Sequence, residues 1–323
     1  MSQLSLQWTT DSIDQIDTEP CNGSTLPTSR PRGLVADRFV FPPFSILNAR
    51  CGEWQDRKRE WIALGIQSEI GRTCGGNNAW NTHAISPRAA ESAQKIAATG
   101  SGPSIFDPVL AELAYRWWCP SGGQIVDPFA GGSVRGIVAG SLGYRYWGGD
   151  LSARQIEANN AQADEIAPRL RPQWICGDSV ETLEGAPDAD FVFSCPPYGD
   201  LERYSDDDRD LSAQEWPRFV ENYALIIRRA VERLRGNRFA CFVVGDFRDP
   251  RGFYRGFVGK TIEAFEAAGT RLYNEAILVT AVGSASLRVS HHFDSGRKLT
   301  KTHQNVLVFC KGDPKIAARV CIG

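Results

Sequence analysis

The sequence predicts an α/β protein with a mostly parallel sheet and helices on both faces. Short apolar runs alternate with longer stretches whose apolar residues recur at helical spacing. Most of the short runs are hydrophobic at successive positions, which is typical of strands that are buried on both faces. Several of them end in an aspartate beside a glycine, at the sheet edge where open α/β folds bind ligands.

The predicted elements follow one another in order after Pro103. Helices are predicted over Asp107–Trp118, after a glycine-rich turn at 127–136, and over Ala153–Ile166, Phe219–Leu234 and Lys260–Ala268. Strands are predicted over Gln124–Asp127, Tyr144–Asp150, Trp174–Asp178, Phe191–Phe193, Phe239–Val244, Ala276–Val282 and Asn305–Phe309. Strands that alternate with helices in this way indicate a parallel sheet that is covered on both sides.

Composition divides the chain into four segments. Residues 1–36 are polar with scattered proline and glycine, which predicts a disordered leader. Residues 37–103 are predicted to form an N-terminal extension, with a helix in Phe39–Arg72 and then a flexible loop rich in Gly, Asn, Ser and Ala. Residues 104–315 are predicted to form one α/β domain, and residues 316–323 a tail.

Charge and cysteine usage exclude several classes of protein. The formal net charge is −2, so a polyanionic partner has to meet a local basic patch. The nine cysteines are odd in number and include no C-x-x-C pair, which argues against a disulfide framework and a zinc site. No apolar stretch approaches the roughly 18 to 20 residues of a membrane helix. We therefore expect a cytoplasmic protein that binds neither a metal nor a membrane.

Three successive predicted strands end in motifs that suit an adenosine-containing cofactor. Asp127-Pro-Phe-Ala-Gly-Gly-Ser-Val-Arg-Gly136 is a glycine-rich turn between a strand and a helix. Asp150 ends the next strand roughly 20 residues later, where an acid can bind the hydroxyls of a ribose. Gly177-Asp178-Ser179 ends the third strand. Each acid taken alone is equally consistent with a helix N-cap, so the order of the set carries the prediction.

The fourth strand ends in Ser194-Cys-Pro-Pro-Tyr198. Two consecutive prolines do not continue a sheet, so the chain is expected to leave over the edge that holds the other motifs. Tyr198 would then be placed to stack on a planar ligand. The alternative is a proline-stiffened loop with a packed tyrosine.

In this order, the motifs resemble the S-adenosylmethionine-dependent DNA methyltransferases that act on the exocyclic amine of adenine or cytosine. Further segments are similar to methyltransferases encoded by bacteriophages and prophages: Pro42–Leu47, Gln55–Arg59, Leu64–Glu69 and Lys301–Lys311. The resemblance covers roughly residues 38–315. It implies a Rossmann-like class I methyltransferase fold with a mostly parallel seven-stranded sheet, and double-stranded DNA as the partner.

The resemblance also implies roles for individual residues. The glycine turn would hold the methionine part of the cofactor, Asp150 the ribose, and Asp178 with Ser179 the adenine. The cofactor-binding set is Phe106, Asp107, Asp127, Pro128, Phe129, Ala130, Gly131, Gly132, Asp150, Leu151, Asp178 and Ser179. The catalytic set is Ser194, Cys195, Pro196, Pro197 and Tyr198.

In that family, an amine donates hydrogen bonds to a side-chain oxygen and a loop carbonyl, and its nitrogen attacks the sulfonium methyl in line. Positioning and electrostatics carry the rate, and the aromatic residue stacks on a base swung out of the helix. This chain departs from the pattern because Cys195, a weak acceptor, directly precedes Pro196.

Several alternatives stay open at this point. Either Ser194 or a main-chain carbonyl accepts from the amine, or Cys195 attacks carbon 6 of a pyrimidine for methylation at carbon 5. The Ser-Cys-Pro-Pro order slightly favours cytosine over adenine. RNA, a protein amide, an already modified base, and a degenerate protein that only binds nucleic acid are the remaining alternatives.

Contacts to DNA phosphates are expected from the basic segment Leu287–His303, which is predicted to be a loop between two strands. Its candidate residues are Arg288, His291, His292, Arg297, Lys298 and Lys301. The alternative is a solvated loop. A second basic patch, Arg50 with Arg57–Arg59, is equally consistent with an exposed helix face. The acidic stretch Asp206–Asp210 is expected to be a solvated loop beside Tyr198 that orders when DNA binds.

Overall fold

The computed structural model of the protein describes residues 39–67, 106–198, 207–280 and 289–322. The predicted leader at 1–36, the flexible loop predicted at 73–103 and Arg288 lie outside the described residues.

Eight strands and nine α-helices alternate along the described ranges. The strands are β1 Ile46–Asn48, β2 Gln124–Asp127, β3 Arg145–Asp150, β4 Gln173–Cys176, β5 Ala189–Ser194, β6 Leu234–Val244, β7 Arg271–Val279 and β8 His303–Lys311. The helices are α1 Gly52–Ile62, α2 Pro108–Trp118, α3 Val134–Ser141, α4 Ala153–Ile166, α5 Ser179–Thr182, α6 Trp216–Arg233, α7 Phe257–Ala267, α8 Val289–Gly296 and α9 Pro314–Val320.

All eight strands belong to one sheet, in the order β1-β7-β8-β6-β5-β2-β3-β4. Strand β8 pairs antiparallel with both β6 and β7, and the other neighbours are parallel. This strand order, with helices around a mostly parallel sheet, is a Rossmann-like α/β architecture, as the sequence predicts. The parallel strands β2 to β5 therefore all end at the same edge of the sheet, which is where the predicted motifs meet.

The sheet has one strand more than the seven that were predicted. Strand β1 comes from the N-terminal extension and pairs in parallel with Ile277–Val279 at the edge of the sheet. The extension is thus a strand followed by helix α1. The helix predicted within Phe39–Arg72 is present as α1, and the strand before it was not predicted. Only Leu47 of β1 is buried, and three residues are too few to show a strand period.

The sheet separates two apolar clusters. Alternate residues of β5 point to opposite faces, so Phe191 and Phe193 pack in one cluster and Val192 in the other. Besides strand residues, the first cluster contains side chains of α1, α2, α3, α4 and α9, and the second contains side chains of α6 and α7. Helix α9 places the buried Ala317 in this core, within the segment that was expected to begin a tail.

The N-terminal extension is fixed to the domain through the buried carboxylate of Glu112 on α2. Arg57 donates to both carboxylate oxygens from Nε and Nη2, each at 2.8 Å. The indole Nε1 of Trp61 donates at 2.7 Å and the Nε of Arg116 at 3.0 Å. Lys58 donates to Asp107 at 3.2 Å. Two cations of the predicted second basic patch are therefore engaged with acids of the domain.

These contacts change the ionisation of Glu112. Burial alone raises the pKa of a carboxyl, but the hydrogen bonds from Arg57 and Trp61 and the charges of Arg57 and Arg116 lower the pKa of Glu112 below its ordinary value. A carboxyl whose pKa is lower in the folded chain stabilises the fold fully above its unfolded pKa. That contribution disappears as the pH falls through the folded value.

We expect Glu112→Gln to lower the free energy of unfolding at pH 7 by about 3 kcal/mol, because the substitution leaves a partly buried guanidinium without its carboxylate. Urea denaturation at pH 7 and at a pH well below 4.5 measures the effect, and the difference from wild type should shrink at the lower pH. Glu60→Gln is the matched control, since Glu60 is 57% exposed and its pair with Arg57 should contribute under about 1 kcal/mol. An equal effect of the two substitutions would contradict the role of Glu112.

Candidate functional site

A cavity of about 630 Å³ opens at the edge where strands β2 to β5 end. Helix α1 of the extension closes one side of it through Gln55 and Lys58, and the ends of β7 and β8 contribute Leu278 and Gln304. The predicted site residues that line this cavity are Phe106, Asp107, Pro128, Phe129, Gly131, Asp150, Leu151, Asp178, Ser179, Cys195, Pro196, Pro197 and Tyr198. The predicted cofactor motifs and the predicted catalytic segment thus face one space.

Four residues of the predicted cofactor-binding and catalytic sets do not line the cavity. Asp127, Ala130 and Ser194 are buried at 0%, 1% and 0% exposure, and Gly132 is also buried. They lie behind the cavity wall, where they shape the backbone that faces it.

The carboxylate of Asp127 is surrounded by donors from four parts of the chain. It accepts from Arg135 Nε at 2.6 Å, from the Tyr146 hydroxyl at 2.7 Å and from the Ser194 hydroxyl at 2.5 Å. The backbone N–H of Phe129 also donates to it, at 3.1 Å. A buried carboxylate is tolerated only when its oxygens are paired in this way. Asp127 therefore holds β2, β3, β5 and the glycine turn together.

Arg135 of α3 completes this network and fixes the glycine turn. Besides Asp127, its guanidinium bonds the carbonyl oxygens of Phe129 and Ala130, the latter at 2.9 Å. It also lies 4.7 Å from the ring centre of Phe106. Burial alone would lower the pKa of Arg135, but the charge of Asp127 raises it above its ordinary value. Arg135 is thus a permanent buried cation in the cavity wall.

Asp150 links the end of β3 to the glycine turn. One carboxylate oxygen accepts from the N–H of Gly131 at 2.9 Å, and the other from the N–H of Ser152 at 2.8 Å. Gly131 has φ of +52°, a left-handed conformation that suits glycine. Asn159 on α4 holds the carbonyl of Gly131 at 2.8 Å. The half-buried Asp150 also lines the cavity.

The third strand end is tied to the first. Asp178 caps the short helix α5 by accepting from the N–H of Val180 at 2.8 Å, so the N-cap alternative is correct as far as this bond goes. The hydroxyl of Ser179 donates to the carbonyl of Pro128 at 2.5 Å. Both residues still line the cavity.

The segment after β5 presents Cys195 and Tyr198 to the cavity. The Ser194 hydroxyl instead turns inward, where it donates to Asp127 and accepts from the N–H of Phe129 at 3.2 Å. The Tyr198 hydroxyl accepts from Gln304 Nε2 at 2.6 Å and lies 4.0 Å from the Cys195 sulfur. The tyrosine is therefore held at its hydroxyl by Gln304.

Sequence reasoning assigned no role to Arg135, Gln304 or Gln55. It placed Lys58 in the second basic patch, whereas the structure places it at the cavity. Arg135 lies within the quoted turn motif, and a charged side chain in an otherwise apolar helix was the available signal. Gln304 precedes the apolar run of the last strand, and nothing in its surroundings distinguishes it from other polar residues at a strand end.

The described part of the acidic stretch also reaches the cavity. Asp207, Arg209 and Asp210 are among its lining residues. Arg209 donates to both carboxylate oxygens of Asp207, at 3.0 and 2.7 Å, and these bonds lower the pKa of Asp207 to about 2. The segment thus places a paired arginine and aspartate at the cavity mouth.

The basic segment differs from its prediction as a loop, because residues 289–296 form helix α8. Val289 and Phe293 are its apolar residues, and a spacing of four places them on one side of a helix. His291, Arg297 and Lys298 are exposed, whereas His292 and Lys301 are half-buried. Burial lowers the pKa of Lys301, an effect that the charge of Asp246 partly opposes.

Within the described ranges, no three His, Cys, Asp or Glu side chains come together in a way that would hold a metal ion. The seven cysteines of those ranges are all free thiols. None of the helices described combines the length and the apolar character needed to cross a membrane.

No protein-family model matches the sequence, and no curated protein sequence matches it. Among solved structures, TrmN from Thermus thermophilus is similar at 16% identity and a TM-score of 0.44, over 68% of this chain and 52% of TrmN. A TehB-like SAM-dependent methyltransferase from Corynebacterium glutamicum is similar at 18% identity and a TM-score of 0.40, over 69% of this chain and 96% of its own. A methyltransferase from Pyrococcus furiosus is similar at 12% identity and a TM-score of 0.43, over 71% of this chain and 100% of its own.

This chain thus spans about half the length of TrmN. The strand order of the sheet, and not these similarities, establishes the fold.

We expect Arg135→Leu to lower the free energy of unfolding by about 3–5 kcal/mol, because it leaves the buried Asp127 carboxylate without its cation. Arg228→Leu is the matched control, since Arg228 is 59% exposed and pairs with Glu232 on the surface of α6. That pair should contribute under about 0.5 kcal/mol. Urea denaturation of both variants measures the contrast, and a small effect at Arg135 would show that the network does not hold the turn.

Proposed function

We propose that this chain is an S-adenosylmethionine-dependent methyltransferase that acts on the exocyclic amine of cytosine (N4) or adenine (N6) in double-stranded DNA. One observation carries the proposal: the strand-end acids Asp150 and Asp178 and the Cys195–Tyr198 segment line a single cavity. A cofactor site and a planar-substrate site at adjoining positions are what a methyl transfer between two bound molecules requires.

The residues present fit S-adenosylmethionine. The cavity volume of about 630 Å³ lies inside the range of small-molecule sites, and its wall mixes apolar surface with a few polar groups. Asp150 would accept from the ribose hydroxyls, Asp178 with Ser179 would lie at the adenine, and Phe129–Gly131 would hold the methionine part. The cofactor supplies an electrophilic methyl group to this site.

The target base would stack on Tyr198. Gln304 holds the hydroxyl of this tyrosine, and Phe247 and Phe257 pack against its ring with centroid distances of 6.3 and 6.2 Å. Because these contacts fix the ring of Tyr198, they restrict the plane in which a stacked base can lie. A base must leave the duplex to reach this ring.

The position of Ser194 bears on how the amine is held. Its hydroxyl proton is donated to Asp127, and the residue is fully buried. We therefore assign the acceptor role to a main-chain carbonyl of the Ser194–Pro196 segment rather than to the Ser194 side chain. A carbonyl oxygen that accepts from the amine favours the pyramidal nitrogen that attacks a methyl group.

One observation supports a second candidate, methylation at carbon 5 of cytosine. Cys195 faces the cavity whereas Ser194 does not. In that reaction, the Cys195 thiolate would bond to carbon 6, and carbon 5 would take the methyl group of S-adenosylmethionine, with S-adenosylhomocysteine as the leaving group. Loss of the carbon-5 proton to water would then restore the double bond and expel the thiolate. The product of the reaction distinguishes the two candidates.

We expect Asp150→Ala to abolish cofactor binding, because it removes both a ribose acceptor and the acceptor for the N–H of Gly131. Tyr198→Ala should keep cofactor affinity within about twofold and lose turnover on DNA by roughly tenfold or more, since base–aromatic stacking is lost. Calorimetric titration with S-adenosylmethionine and a methyl-transfer assay check the two halves. Unchanged cofactor affinity in Asp150→Ala would refute the ribose assignment.

The function itself is tested with unmethylated bacterial DNA and isotope-labelled S-adenosylmethionine, followed by digestion to nucleosides and mass spectrometry. Label on a cytosine or adenine amine is the expected result and identifies the base. Label on carbon 5 of cytosine that disappears in Cys195→Ser would establish the second candidate. Cofactor binding without label in DNA would refute DNA as the substrate and direct the same assay to RNA and protein.

A further inference from the structure

A hairpin at 246–256 follows β6 at the edge of the sheet that carries the cavity. Its strands are joined by a bridge between Arg248 and Tyr254, and the N–H of Arg255 donates to the carbonyl of Phe247 at 2.9 Å. The tip is closed by Asp249, whose N–H donates to the carbonyl of Phe253 at 2.8 Å and whose carboxylate accepts from the N–H of Phe253 at 2.9 Å. These bonds make the hairpin a defined structure rather than a loose loop.

The tip of this hairpin exposes an aromatic side chain. Phe253 is 68% exposed, although a phenylalanine gains most when it is buried. Tyr254 beside it is 48% exposed and is covered on one face by the Arg248 guanidinium, 3.9 Å from the ring centre. An exposed aromatic ring held on a hydrogen-bonded hairpin offers a surface on which a nucleic-acid base can stack.

The base of the same hairpin forms part of the support of Tyr198. Phe247 is 6% exposed and packs edge-on against the tyrosine ring. Gly245, directly before the hairpin, also lies beside the tyrosine, since a Cβ there would be in ordinary contact with Tyr198 Cε1 at 3.7 Å. Phe253 pairs with Asp249, and Asp249 is two residues after Phe247 in the first strand of the hairpin. At the rise of a β-strand, two residues correspond to about 7 Å between Phe247 and the position of Phe253.

The surface around the tip is cationic. Arg248 and Arg251 lie on the hairpin, and Arg251 is 81% exposed while it pairs with Asp249 at 3.2 Å. From the segment after α8, the Lys298 ammonium reaches over Gly252, within 2.8 Å of the position a Cβ would take there. Gly252 has φ of +96°, so glycine serves both the turn and this approach. Cations around an exposed ring suit a polyanion whose bases can stack.

We propose that this hairpin enters double-stranded DNA beside the target base, with Phe253 stacked in the space that the base leaves and Arg251 and Lys298 on the flanking phosphates. The inference rests on the proposed function, because it supplies the step that brings a base from the duplex to Tyr198. Apolar side chains inserted between base steps unstack a duplex, and a base that leaves the stack needs its space filled. The same hairpin would thus support Tyr198 through Phe247 and fill the space left by the base through Phe253.

The test compares the turnover of full-length Phe253→Ala with wild type on native bacterial DNA and on the same DNA after heat denaturation, with isotope-labelled S-adenosylmethionine. We expect a loss of roughly tenfold or more on the duplex and less than about twofold on single strands, which need no opening. Phe253→Leu should keep part of the duplex activity, since it retains an apolar wedge. Tyr273→Ala is the matched control, because Tyr273 is 46% exposed and lies on β7 towards the opposite edge of the sheet.

An equal loss on both forms of DNA, or no loss on the duplex, overturns the inference. A second measurement is independent of methylation: fluorescence anisotropy with a labelled pool of random-sequence duplexes, compared with the corresponding single strands. Phe253→Ala should weaken duplex binding selectively, and Lys298→Gln should lower the salt dependence of binding by about one phosphate contact. If wild type methylates neither form of DNA, the proposed function has failed, and the anisotropy measurement alone then tests whether the hairpin binds duplex DNA. Unchanged duplex binding in both variants, or label found only in RNA, overturns the duplex assignment.

Discussion

The architecture of the cavity depends on the buried carboxylate of Asp127. Its donors are Arg135, Tyr146, Ser194 and the N–H of Phe129, which belong to α3, β3, β5 and the glycine turn. A buried charge that loses its partners costs several kcal/mol, so the chain is stable only where these four parts come together around it. The backbone that faces the cavity is therefore set by bonds made behind it. This explains how a turn with two adjacent glycines keeps one conformation.

Aspartates at equivalent strand ends perform different tasks, and their donors decide which. Asp127 is enclosed, and its oxygens are used within the protein. Asp150 and Asp178 are half-buried and accept backbone N–H groups while they face the cavity. A carboxylate oxygen has two acceptor positions, so one bond to the backbone orients the group and leaves capacity for a ligand. N-capping and ligand binding are thus compatible uses of the same side chain.

The sequence predicted what depends on local patterns. The bounds of β2 and of helix α4 agree with their predictions, because apolar runs and helical periods are properties of neighbouring residues. Strand β1 exists only through its pairing with β7, more than 200 residues away, and three residues carry no period of their own. Likewise, the strand-end acids were found by their order along the chain. The inward orientation of the Ser194 side chain could not be predicted in this way, because it depends on which donors surround Asp127 in space.

The two halves of the cavity are built by different means, which follows from the topology. The half formed by β2 to β4 is held by backbone bonds to carboxylates, as with Gly131 and Asp150. The half around Tyr198 is held mainly by aromatic packing from α7 and the hairpin, with one hydrogen bond from Gln304. Carboxylates and N–H groups suit a ligand rich in hydroxyl and amide-like groups, whereas fixed rings suit a flat one. Ser194 lies at the boundary and bonds inward to Asp127, so a shift of the turn would also shift the Pro-Pro-Tyr segment. In the proposed reaction the two reacting atoms must keep their separation within a fraction of an ångström, and this shared anchor is the part of the chain that couples them.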